Sequence, residues 1–229
     1  MPVIFGRDQW QRTFRPAGRE GVVAVRLDWF ARPRIRIMML EALTTSTAVV
    51  ALAEIGDKTQ LLAVILAARF RKPLPIVAGI LGATLANHFL AALLGATVAG
   101  FMDGPAFRYA VALGFIAMGL WTLVPDKMDE DDAPKPSRFG PFLTTLVAFF
   151  IVEIGDKTQV ATIALGAQYH DAVAVTMGTT LGMMIANVPA VFLGEALLRR
   201  VPLKVVRTVA ALLFVGLGLW LLARTAGMV

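Results

Sequence analysis

Glu54-Ile55-Gly56-Asp57-Lys58-Thr59-Gln60 recurs 99 residues later, letter for letter, as Glu153-Ile154-Gly155-Asp156-Lys157-Thr158-Gln159. Each copy places two acids and a lysine in the middle of an otherwise apolar stretch, Leu40 to Ala68 in the first case and Pro141 to Gln168 in the second. An ionised side chain within a membrane span costs at least ~2.5 kcal/mol and is read by default as functional. A chain that carries this cost twice is using it.

Composition agrees with a bilayer as solvent. The 229 residues are 57% hydrophobic and their mean hydropathy is +0.70, whereas soluble domains hold nearer ~45–50% apolar residues even with glycine counted. The expected class is therefore an all-α polytopic membrane protein. No cysteine occurs, which excludes disulfides, thiolate metal sites and cysteine nucleophiles. With His88 and His170 as the whole histidine complement, zinc chemistry built on clustered imidazoles is not expected. The net charge of +6 is no nucleic-acid signal, because eight arginines lie within the first 36 residues and the remaining cations flank apolar segments.

Residues 1–37 form a basic arm. Its one apolar run, Val22 to Val25, is cut off by Arg26, so it lacks the core of a secretory signal. It reads either as a solvated or membrane-surface basic arm or as a stretch absent from the mature protein, since Met38 or Met39, directly before the first span, offers an alternative start. Spans follow over Leu40–Ala68, Leu74–Phe101 and Phe107–Val124, the first of them long enough at 1.5 Å per residue to cross a core of ~30 Å. Residues 125–140, with Asp126, Asp129, Glu130, Asp131, Asp132, Pro134 and Pro136, read as a polar linker. A second set of three spans follows it: Pro141–Gln168, Ala172–Leu198 and Leu203–Arg224. The domains expected are thus the arm, a first three-helix repeat over 38–124, the linker, and a second repeat over 141–229. Ala78, Gly82, Ala86 and Asn87 are echoed by Gly178, Gly182, Ala186 and Asn187.

Three spans per half is an odd number, so the second half enters the membrane in the opposite direction. Six transmembrane helices as two inverted three-helix repeats are the architecture expected, with a site near the midplane where the repeats meet. Ten Lys and Arg residues lie in the loops after spans one, three and five, against Arg108 and Arg224 opposite once residues 1–37 are set aside; the linker is expected to be cytoplasmic, and the arginine arm runs against this, since it would have to be translocated.

The motif chemistry is that of oxygen ligands. On a helix, Glu54 shares a face with Asp57, and Glu153 with Asp156, while Lys58 and Lys157 follow the glutamates by four. Pairing of the motif helices would bring all four acids together. Gly56 and Gly155 permit close helix approach or local unwinding that frees carbonyl oxygens. Thr59, Gln60, Thr158 and Gln159 add further oxygens, as do Asn87 and Asn187. Such a set suits hard divalent cations, calcium, magnesium or manganese, and four acids with two lysines total minus two, which one such cation neutralises. Protons compete for the same carboxylates, a physical route to exchange. His88 reads as a satisfied helix histidine, His170 as a turn residue, Glu195 as an interfacial acid partnered by Arg199 and Arg200, and Trp121 and Trp220 as interface anchors.

The duplicated Glu-x-Gly-Asp-Lys/Arg-Thr/Ser pattern, the three spans per half and the acidic linker closely resemble the Gdt-type family of cation/proton antiporters. That family includes bacterial manganese exporters and the Golgi and chloroplast manganese/calcium transporters. The resemblance covers residues 39–224. It implies transport of manganese or calcium in exchange for protons, with Glu54, Asp57, Glu153 and Asp156 as ligands, no prosthetic group and no nucleic-acid partner. It favours manganese export across the cytoplasmic (inner) membrane of a bacterium. Competing readings are an exporter of an amino acid or other small solute, an intramembrane hydrolase using paired carboxylates, and a non-transporting scaffold.

Overall fold

The computed structural model describes residues 33–102, 104–125, 139–194 and 202–228, with side chains from Arg36 onward. Most of the basic arm, nearly all of the acidic linker, and Glu195, Arg199 and Arg200 lie outside the described residues. Those that are described form eight helices and no strand: α1 Pro33–Glu54, α2 Lys58–Phe70, α3 Pro73–Phe101, α4 Pro105–Thr122, α5 Pro141–Glu153, α6 Lys157–Tyr169, α7 Ala172–Leu193 and α8 Leu203–Thr225. Among them, α1 from Arg36, α3, α7 and α8 are each long and apolar enough to cross a membrane. Proline opens α3, α4 and α5, at the helix position where a missing N–H removes no intrahelical bond.

Each motif-bearing stretch is two helices where one continuous span was expected. Gly56 has φ +82° and Gly155 has φ +78°, a left-handed backbone that glycine alone adopts without penalty. The first helix therefore stops at the glutamate, Glu54 or Glu153, and the second starts after an extended aspartate, Asp57 or Asp156. At 13 residues each, α5 and α6 reach only about 20 Å apiece, short of the ~30 Å core of a bilayer.

The packing is reciprocal between the halves. α1 and α2 lie on α7, α5 and α6 lie on α3, α3 meets α7, and α4 meets α8. Glycines let these backbones close up. Gly79 of α3 sits against the Phe142 carbonyl and Thr145 of α5, and Gly178 of α7 sits against the Leu43 carbonyl and Ser46 of α1. Likewise Gly119 of α4 meets the Ala211 carbonyl, and Gly218 of α8 meets the Ala112 carbonyl. Phe115 and Phe214 stack between them at 6.5 Å. Every one of these matches is offset by 99 residues, the offset of the motifs. The echo read from the sequence, Asn87 against Asn187, is offset by 100, so the contacts correct it: Asn187 is equivalent to His88, and Asn87 to Ala186.

Burial is inverted relative to a soluble protein. On α3, Leu81, Leu85, Phe89 and Leu93 face outward, while Ala83, Thr84, Asn87 and His88 face inward. Without water outside, large apolar side chains belong at the lipid face and small or polar ones at the helix contacts. That arrangement delivers the motif side chains to the interior.

Candidate metal centre

Both chain breaks are closed by their own glutamine. Gln60 accepts at Oε1 from the Gly56 N–H, 2.9 Å, and donates from Nε2 to the Ala186 carbonyl of α7, 2.8 Å. Gln159 accepts from the Gly155 N–H, 2.7 Å, and donates to Asn87 Oδ1 on α3, 2.6 Å. Irregular backbone is tolerated at membrane depth only where its polar groups are satisfied within protein. The two glutamines do this and tie each half's break to the other half's second span.

The threonines work across the same breaks. Thr59 Oγ1 donates to Glu54 Oε2 at 2.5 Å. Thr158 Oγ1 lies 3.1 Å from Glu153 Oε2 and 3.3 Å from Asp156 Oδ2, so its single proton serves either. One oxygen of each glutamate is thereby oriented. The other, Oε1 in both residues, is buried with no hydrogen-bond partner among the described residues.

Three acids converge. Glu54 from the first motif and Glu153 and Asp156 from the second each present a carboxylate oxygen, all within 4.8 Å of one another. Glu54 and Glu153 are fully buried, and Asp156 is 5% exposed. Oxygens about 2.0–2.6 Å from one divalent cation stand roughly 3–5 Å apart, so this spacing suits a shared ion. A buried carboxylate oxygen without a donor is otherwise costly, and the two Oε1 atoms fit cation ligation. Asp57 is buried just before α2 but does not belong to this group, although its backbone is as extended as that of Asp156.

The lysines differ in role. Lys58 reaches across to the second motif, Nζ to Asp156 Oδ1 at 3.2 Å. Lys157 donates to the Val124 carbonyl at 3.0 Å and stands over the Trp121 ring at 6.0 Å. Of the carbonyls freed at the breaks, that of Gly56 faces Arg207 Nη2 at 3.4 Å. Asn87 is occupied by Gln159 and by the Phe150 carbonyl, 3.4 Å. Asn187 donates to the Met183 carbonyl at 3.1 Å, and its Oδ1 is buried without a partner.

His88 is the residue that sequence reasoning passed over. It is fully buried, its Nε2 lies 3.8 Å from Glu153 Oε2, and neither ring nitrogen has a hydrogen-bond partner among the described residues. A satisfied helix histidine would have one. Applying the motif's own 99-residue offset to α3 would have paired it with Asn187 and flagged the position.

Comparison with known proteins gives a consistent picture. The family model described as "Divalent cation/proton antiporter GDT1" matches the chain twice, over residues 42–130 and 141–229. A Vibrio cholerae serotype O1 protein named "Putative manganese exporter" is 50% identical over 183 residues, 80% of this chain and 90% of that protein. A GDT1-like protein of Synechocystis is 32% identical over 196 residues, 77% of this chain and 94% of that protein. GDT1-like protein 3 of Arabidopsis thaliana is 28% identical over 204 residues, 78% and 69% respectively. No solved structure matches the chain.

Proposed function

The chain belongs to the GDT1 family of divalent cation/proton antiporters, and from that membership and its acidic centre we propose that it exports manganese, with calcium as the second candidate, in exchange for protons. The observation that carries the reading is the meeting of Glu54 with Glu153 and Asp156, acids drawn from both copies of the motif. A site assembled from two halves is made and unmade by their relative motion, which is the requirement of alternating access.

In this reading Glu54, Glu153 and Asp156 ligate the cation, with Asp57 joining as the halves rock. Thr59 and Thr158 orient one oxygen of each glutamate, Gln60 and Gln159 hold the breaks, and Lys58 and Lys157 balance charge. Hard oxygen ligands suit manganese and calcium. Cation and protons contend for the same oxygens, so binding one releases the other.

The 99-residue reciprocity of the packing supports two inverted repeats, over 38–124 and 141–229, with α1/α2 and α5/α6 each serving as one of six crossings. The cation bias of the loops supports a cytoplasmic linker over 125–140, in a bacterial cytoplasmic membrane.

Proteoliposomes loaded with a pH-sensitive dye test the reading. Added manganese should drive proton movement in the wild type and not in the Glu54→Gln, Glu153→Gln double variant. Silence of the folded wild type toward manganese, calcium and magnesium would sink it and promote the small-solute exporter.

A further inference from the structure

We propose that His88 supplies an imidazole nitrogen to the transported cation and so sets the preference of the centre for manganese over calcium and magnesium. This deepens the antiporter reading and rests on it. The position is built into the fold: α3 is held against α5 by the contact of Gly79 with the Phe142 carbonyl and Thr145, and His88 lies inward on the same helix, facing Glu153. At 3.8 Å from Glu153 Oε2, Nε2 falls within the roughly 3–5 Å expected of two donors sharing one divalent cation. His88 stands on Glu153's side of the three-acid group, where an ion held by Glu153 comes within its reach.

Two further observations point to a ligand. Both ring nitrogens are buried without a hydrogen-bond partner among the described residues, and one turn earlier the Thr84 hydroxyl is in the same condition. At the equivalent position of the second repeat, Asn187 also presents a buried Oδ1 with no partner. The repeat-related positions thus carry one nitrogen donor and one oxygen donor, while the motif residues are identical in both halves. The oxygens of the motif accept manganese, calcium and magnesium alike; the nitrogen does not. Imidazole is a poor ligand for calcium and magnesium and a better one for transition metals, so the imidazole is where discrimination enters.

The test uses the full chain and manganese alone. In detergent-solubilised protein with bound manganese, electron spin echo modulation should reveal coupling to the remote imidazole nitrogen, lost in His88→Asn with the metal still bound. In proteoliposomes, the same variant should lower the manganese-to-calcium transport ratio about tenfold, the scale of changes beside a metal. Asn187→His, which adds an imidazole at the mirrored position, should raise that ratio and gives a second reading should His88→Asn not fold. Bound manganese without nitrogen coupling in the wild type, or an unchanged ratio in either folded variant, overturns the assignment. A wild type that binds manganese with nitrogen coupling yet moves no protons would overturn the antiporter reading and leave His88 as a ligand.

Discussion

Lys58 of the first motif is paired with Asp156 of the second, Nζ to Oδ1 at 3.2 Å, so an ion pair joins the two halves at the rim of the acidic group. Its mate in sequence, Lys157, turns to the Val124 carbonyl and the Trp121 ring instead. Identical heptads therefore hold unlike positions, and their lysines should not be interchangeable in function.

Lys58→Met leaves the Asp156 carboxylate, 5% exposed, without this partner. Removing one member of a fully buried pair costs ~3–5 kcal/mol; Lys58 keeps 21% of its side-chain surface, so a smaller loss of about 1–3 kcal/mol is expected. Adding Asp156→Asn should recover most of the thermal stability without recovering transport. Equal behaviour of Lys58→Met and Lys157→Met in both assays would remove the distinction.

The two motif glycines should respond unequally to alanine. Both hold positive φ, where a side chain costs roughly 1–2 kcal/mol. A Cβ on Gly56 would also strike the Leu203 side chain, whereas one on Gly155 meets nothing within 4 Å. Gly56→Ala should melt lower than Gly155→Ala, and Leu203→Ala should restore part of the difference. Identical melting temperatures for the two variants would contradict the geometry.

Gln159 and Asn87 are coupled side chain to side chain at 2.6 Å, while the reach of Gln60 Nε2 to α7 ends on the Ala186 backbone. A double-mutant cycle of Gln159→Leu with Asn87→Ala should show an interaction of about 1 kcal/mol in unfolding free energy. Gln60→Leu paired with Ala186→Gly should be close to additive. Additivity in the first cycle would show that the bond contributes nothing.

Asp156 lies in the three-acid group and Asp57 does not. Asp156→Asn should therefore weaken manganese binding at least about tenfold, measured by calorimetry on purified protein, with a smaller effect for Asp57→Asn. Equal losses would mean that Asp57 shares the bound state equally.

Much of this was legible before any fold was known. The duplicated heptad pointed to four converging acids, of which Glu54, Glu153 and Asp156 meet and Asp57 does not, and long apolar stretches announced the spans. Two features were not legible. The break at each glycine was open as unwinding but not required, since a glycine in a helix and one at positive φ look alike in a string of letters. The echo on α3 and α7 was read one residue out of step, because small residues every four positions fit either offset.

The amino-acid sequence by itself determined that this is a membrane protein with two matching halves and acids placed where lipid would otherwise forbid them. That much follows from hydropathy and repetition, which are properties of the chain. Only the tertiary structure decided that Asp57 stands apart from the other three acids, that Lys58 serves the opposite half, and that His88 faces Glu153. Those outcomes depend on which backbone atoms the packing glycines bring into contact, and such close approach between residues 60 or more positions apart leaves no local trace in the chain.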